Sequence, residues 1–356
     1  MSMHKPEDFT SLQACEDGFV PRSVNRPQPA TLTRSDAAGH FVARITERLI
    51  IAPFESAGLK VSLAPSNHFL AKLEDLWKLV QMRMLKLPSG KTVPVLGQGT
   101  WRMGENSAKR SSEIRAIQLG IDLGLTLIDT AEMYGGGESE ELVGEAIAGK
   151  REELFLVSKV YPHNATRMGV LAACERSLRR LKTDRLDLYL LHWRGSVPLV
   201  ETMQGFKSLK EAGKIRDYGV SNFDVEDMEE AMSHVGGAEL ATNQVLYNLM
   251  RRGIEWDLLP WCRQRGVPIM AYSPIEQGRL STKLEPLAAR RGVSPAQIAL
   301  AWLLRQGDVI AIPKASDPRH VRDNRAALDL NLADNEMGEL DRLFPPPRAK
   351  KTLEMY

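Results

Sequence analysis

LTLIDT (125–130), LFLVSK (154–159) and DLYLLH (187–192) each run apolar and then stop on a polar residue, and the reading of these three segments decides the fold. Each is too short for a core helix and is followed by a loop, so each reads as a buried strand. Working outward, the same pattern recurs in VPVLGQGT (93–100), IRDYGVSN (215–222), LATNQ (240–244), VPIMAYSP (267–274) and VIAIPK (309–314). Amphipathic stretches of helical length lie between most of the runs. Strands alternating with helices imply a parallel sheet with crossover helices, and eight such units close a (β/α)8 TIM barrel. Chemistry in that architecture sits at the C-terminal strand ends. Asp129, Lys159, His192, Asn222, Gln244, Ser273 and Lys314 are therefore the first candidates.

A barrel of roughly 250 residues is one domain, and the pattern places it at 83–356. Residues 1–82 carry Pro21, Pro27, Pro29, scattered charges and short apolar runs such as RLIIAPF (48–54), with no sustained period. They read either as a weakly ordered N-terminal extension or as upstream sequence translated from an early start, with Met82 and Met84 standing just before the barrel pattern. No apolar core follows a basic start, which makes a poor secretory signal, and Glu7, Asp8, Glu16 and Asp17 sit where a transit peptide has few acids. From Met84, LKLPSGKTVPVL has two extended runs about Ser89-Gly90, the pattern of a β-hairpin, which is expected to plug the barrel bottom. Ser294-Pro295-Ala296-Gln297, Asp317-Pro318 and Asp224 are helix-start signals. Pro345-Pro346-Pro347 ends any helix there and leaves a short irregular tail.

The chain has 47 basic and 45 acidic residues and a net charge of +2. That balance gives no case for nucleic-acid or membrane-surface binding, and no apolar stretch approaches the ~20 residues that span a bilayer. Three cysteines, Cys15, Cys174 and Cys262, are too few and too widely spaced for a disulfide framework or a zinc site, as befits a cytoplasmic protein.

Asp129, Tyr134, Lys159 and His192 converge on one barrel mouth. A free phenol has a pKa near 10, so donating a proton at neutral pH is uphill by about 4 kcal/mol. A neighbouring ammonium lowers that barrier, a carboxylate fixes the ammonium, and a histidine polarises a carbonyl. The group is a general acid for a carbonyl oxygen. No side chain supplies a hydride, so a nicotinamide cofactor is implied. Two other readings use the same residues: a Schiff-base lyase with Lys159 as nucleophile, and a cofactor-binding regulatory subunit.

GQGTW (97–101), IDTAEMYGGGESEELVGEA (128–146), VSKV (157–160), LYLLHW (188–193), GVSNF (219–223), NQVLYN (243–248), AYSP (271–274) and IPKAS (312–316) make the chain resemble the aldo-keto reductase family from about Met84 to the end. Met103-Gly104-Glu105, LLPWC (258–262) and KTLEM (351–355) are similar to its bacterial methylglyoxal-reductase-type members. The loop GGGES after Tyr134 is slightly longer than the family's commonest form. The resemblance implies NADPH-dependent reduction of small aldehydes or ketones, methylglyoxal-like or aromatic, by a monomer or weak oligomer, with Tyr134 as general acid. It implies cofactor contacts from Thr100, Trp101, Asp129, Ser221, Asn222 and Gln244, with Tyr272 stacked on the nicotinamide. Ser273, Gln277 and Gly278 would take the pyrophosphate, Lys314 and Ser316 the 2′-phosphate, and Asn324 the adenine. His320 stands where many members have an arginine, which weakens the phosphate grip and leaves NADH as the alternative cofactor. Arg319 and Arg322 stand alongside and would support NADPH. Trp101 and Trp193 are expected at the substrate pocket, with Tyr161 and His163 as weaker candidates. Little chain follows Lys314, so the mouth is expected to be open.

Overall fold

A computed structural model describes residues 82–234 and 239–356. The expected N-terminal extension and Cys15 lie outside the described residues. Strands β1 (Met84–Lys86) and β2 (Thr92–Pro94) pair antiparallel, with Met84 opposite Pro94 and Lys86 opposite Thr92. The turn between them contains Gly90 at φ 85°, a backbone setting that glycine adopts without strain.

Eight parallel strands follow: β3 (Gly97–Gly99), β4 (Leu127–Asp129), β5 (Phe155–Val160), β6 (Leu186–Leu191), β7 (Ile215–Ser221), β8 (Leu240–Leu246), β9 (Ile269–Tyr272) and β10 (Val309–Ala311). Each pairs with its neighbour in chain order. The ring closes where β10 returns to β3. There the Gly99 N–H donates to the Pro313 carbonyl at 3.0 Å, and the Ala311 N–H donates to the Val95 carbonyl at 2.8 Å. Gly99 also lies in parallel register with Lys314.

Helices cover the outside: α1 (Arg110–Asp122), α2 (Glu138–Ala146), α3 (Arg167–Leu181), α4 (Leu199–Glu211), α5 (Val225–Ser233), α6 (Leu258–Gln264), α7 (Ser281–Arg291), α8 (Pro295–Leu304), α9 (Pro318–Ala326) and α10 (Asp334–Leu343). The three start signals hold. Ser294 and Gln297 form a capping box on α8, Asp224 and Asp227 another on α5, and Asp317 accepts from the Arg319 N–H at the head of α9.

Period two along the strands sorts the core into an inner and an outer layer. Leu127, Val157, Leu188, Leu190, Met270 and Ile310 fill the barrel with Leu87 and Val93 of the hairpin, which is the expected plug. Ile128, Leu156, Tyr189 and Leu191 face the helices instead. Stepping two residues on from Leu127 and Val157 brings Asp129 and Lys159 to the same inner face at the mouth.

Candidate active site

Asp129 ends β4, and a tight turn follows in which the Tyr134 N–H donates to the Ala131 carbonyl at 3.1 Å. Gly135, Gly136 and Gly137 then run at φ 58°, 63° and 106°. Three successive left-handed residues explain why GGGES needs its glycines: the chain must reverse into α2 while leaving Tyr134 over the mouth. Lys159, on β5, is fully buried. Its Nζ donates to Asp129 Oδ2 at 2.8 Å, to the Thr130 carbonyl at 2.8 Å and to the Tyr134 hydroxyl at 3.3 Å. All three protons of the ammonium thus have acceptors. The second Asp129 oxygen accepts from Gln244 Nε2 at 2.8 Å.

His192 follows β6 and meets the Tyr134 ring edge-on, with centroids 5.7 Å apart. Its Nδ1 is buried and has no hydrogen-bond partner among the described residues. Burial, and then the Lys159 charge, push the imidazole well below its ordinary range, so it is neutral at pH 7. Burial raises the Tyr134 phenol above its ordinary value of 10, with Lys159 opposing and Asp129 adding. The sequence-based expectation of a lowered phenol is corrected here: the ammonium does pull downward, but desolvation outweighs it. For Lys159, burial is the largest influence and works downward, but Asp129 and Tyr134 together outweigh it and hold the ammonium above its ordinary value.

Asp129, Tyr134 and His192 form the floor of a cleft of about 640 Å³. Thr100, Trp101, Ser221, Asn222, Gln244, Tyr272, Ser273, Gln277, Gly278, Lys314 and His320 line it together with Asp129, Tyr134, His192 and Trp193. Asn222 is the hub of the middle section. Its Nδ2 donates to the His192 carbonyl and to Ser221 Oγ, both at 3.2 Å, and its Oδ1 accepts from the Tyr272 hydroxyl at 3.0 Å. It sits at φ 58°, a setting that asparagine tolerates better than most residues. Lys314 reaches only the Ser316 hydroxyl, at 3.3 Å, and has no carboxylate partner among the described residues.

Several expected residues stand elsewhere. Lys159 lies beneath the floor. Ser316 and Asn324 do not line the cleft, Asn324 being buried in α9. Arg319 pairs with Asp317 at 2.8 Å and Arg322 donates to the Pro318 carbonyl at 3.3 Å, and neither lines the cleft. Tyr161 and His163 do not line it; Tyr161 props Trp193 edge-on at 4.9 Å, and Trp193 in turn tilts on His192 at 4.9 Å. Met355 and Tyr356 line the cleft, as do Arg102, Met133 and Ile275. KTLEM (351–355) was the available signal, but an irregular tail has no period from which to place it.

An eight-stranded barrel with a buried Lys–Asp pair beneath a mouth tyrosine defines an oxidoreductase of the carbonyl-reducing class. The chain belongs to the aldo/keto reductase family: residues 95–344 match the model of the "Aldo/keto reductase family". It is 50% identical over 283 residues to the methylglyoxal reductase YeaE of Escherichia coli, covering 78% of this chain and 100% of that one. It is 31% identical to an NADH-specific methylglyoxal reductase of the same organism, over 70% of this chain and 95% of that one. A solved aldo-keto reductase from Klebsiella pneumoniae in complex with NADPH is also 50% identical, with a TM-score of 0.76, over 78% of this chain and 100% of that one.

Proposed function

We propose that this protein uses NADPH to reduce small aldehydes and ketones, methylglyoxal-like or aromatic, to alcohols, with Tyr134 as the general acid. The observation that carries this reading is the Lys159 ammonium, buried between Asp129 and the Tyr134 hydroxyl at the floor of the cleft. The residues fit the cofactor: Lys314 has no carboxylate partner among the described residues, Tyr272 offers a flat ring, and the mouth backbone turns left-handed at Asn222, Ser273 and Gln277. Bound NADPH supplies the hydride that the carbonyl carbon receives. Lys314 and His320 would face its 2′-phosphate, Ser273, Gln277 and Gly278 its pyrophosphate, and Ser221 and Asn222 its carboxamide.

The protein's own part is proton transfer. A raised phenol is fully protonated at neutral pH, the state that a proton donor needs. The Lys159 ammonium 3.3 Å away stabilises the tyrosinate as the proton leaves for the carbonyl oxygen. Neutral His192 orients that oxygen without adding a charge to the floor. Trp101, Trp193 and Met133 offer apolar walls for a small or aromatic substrate. The same Lys159 is unsuited to Schiff-base chemistry, because a nucleophilic lysine needs a lowered pKa and Asp129 raises it.

The test is cofactor consumption with a panel of methylglyoxal, benzaldehyde and sugar aldehydes, run with NADPH and with NADH. Turnover of methylglyoxal or benzaldehyde with NADPH as the better cofactor is expected. Equal or better use of NADH would defeat the cofactor preference, and no turnover of any carbonyl would defeat the reading.

A further inference from the structure

The loop after β9 and the C-terminal tail meet on one buried carboxylate that the proton-transfer group does not use. Glu276 is fully buried. Its oxygens accept from Asn248 Nδ2 at 2.7 Å, Arg251 Nε at 3.2 Å and Arg279 at 3.1 Å, and the Tyr356 hydroxyl also donates to it. Asn248 in addition donates to the Ser273 carbonyl at 3.0 Å, tying down both ends of the loop. That loop holds Ser273, Glu276 and Gln277 at φ 47°, 47° and 54°, three non-glycine residues in a left-handed setting that needs outside support.

The same arginines hold the tail. Arg251 donates to Glu354 Oε1 at 2.7 Å, and Arg279 donates to the Tyr356 hydroxyl. The Tyr356 backbone N–H lies against the hydroxyl of Tyr272, and Tyr272 is itself bonded to Asn222. Met355 and Tyr356 line the same cleft as Ser273, Gln277 and Gly278. Keeping a carboxylate out of water is unfavourable unless several donors compensate it, and such a cluster fixes relative position more than it adds stability.

We propose that Glu276 is a positioning residue that couples the cofactor loop to the tail, so that NADPH and the substrate wall formed by Met355 and Tyr356 order one another. This rests on the reading that Ser273–Gly278 holds the cofactor pyrophosphate. Coupling between two sites is reciprocal: whatever loosens the tail weakens NADPH, and whatever loosens the loop weakens the substrate.

The test is fluorescence titration of NADPH in the absence of substrate, with KM and kcat for benzaldehyde, on Glu276→Gln, Glu354→Gln and the double variant. Among the described residues, the Glu354 side chain is linked to the loop through Arg251. In Glu354→Gln, NADPH Kd is expected to rise roughly threefold, the scale of one half-exposed ion pair, with KM rising in step and kcat within about twofold. Glu276→Gln should weaken both ligands about tenfold, and adding Glu354→Gln to it should change nothing further. If Glu276→Gln does not fold, Arg279→Gln takes its place in the cycle with the same expectation. A Glu354→Gln protein with wild-type NADPH affinity and a raised KM would overturn the coupling and leave an independent wall, as would additive effects in the double variant. Wild-type protein that does not bind NADPH would overturn the cofactor reading and the coupling together.

Discussion

Lys159 and Asp129 form an almost fully buried pair, 2.8 Å apart, with side-chain exposures of 0% and 3%. Removing one partner strands the other charge, whereas removing both leaves only polar groups that the strand ends can satisfy. Lys159→Met is therefore expected to destabilise the protein by about 3–5 kcal/mol. Lys159→Met with Asp129→Asn should recover part of that loss; chemical denaturation of both variants reads the difference, and equal losses would contradict it. The raised phenol sets a pH expectation of known sign. The proposed donor Tyr134 must be protonated to act, and burial raises its phenol above the ordinary value of 10. Carbonyl reduction should therefore hold from about pH 7 to 9 and fall only beyond about 10, where the donor proton is lost. A rate that already declines between pH 7 and 8 would point to a lowered phenol instead.

The elements meet most tightly at the barrel seam. A Cβ on Gly99 would come within 2.7 Å of the Ile312 carbonyl oxygen, a backbone atom that cannot step aside. Gly99→Ala should cost about 1–3 kcal/mol by overpacking and should weaken NADPH binding, because Lys314 hangs from the strand end that the seam positions. Denaturation and titration of that variant check both effects. All eight barrel strands and the hairpin were legible in the sequence, because period two and polar strand ends are local signals. The capping boxes on α5 and α8 were equally local. What escaped was long-range. No local pattern shows that Tyr356 returns to Tyr272, or that Glu276 is buried rather than a loop charge.

In the molecule as a whole, the strand ends divide by place around one cleft. Those of β4 to β6 gather Asp129, Lys159 and His192 under Tyr134, while β7 to β9 and the residues after β10 present Asn222, Tyr272, Ser273 and Lys314 beside them. Asp129, Tyr134, Lys159 and His192 were legible because each sits at, or just beyond, a strand end. The 2′-phosphate end was less so. Arg319 stands near that end in sequence, and in the structure it pairs with Asp317 at the surface with its side chain largely exposed. The net direction of the Tyr134 shift also needed the structure, since desolvation depends on packing that spacing does not encode. The central claim is that Tyr134 gives the proton while the rest of the cleft holds the cofactor. Tyr134→Phe tests it most directly, with kcat for a reduced aldehyde and NADPH Kd measured on the same protein. Reduction should fall by at least ~10²-fold, the scale of a lost general acid, with NADPH Kd unchanged. Near-normal turnover in that variant would contradict the account.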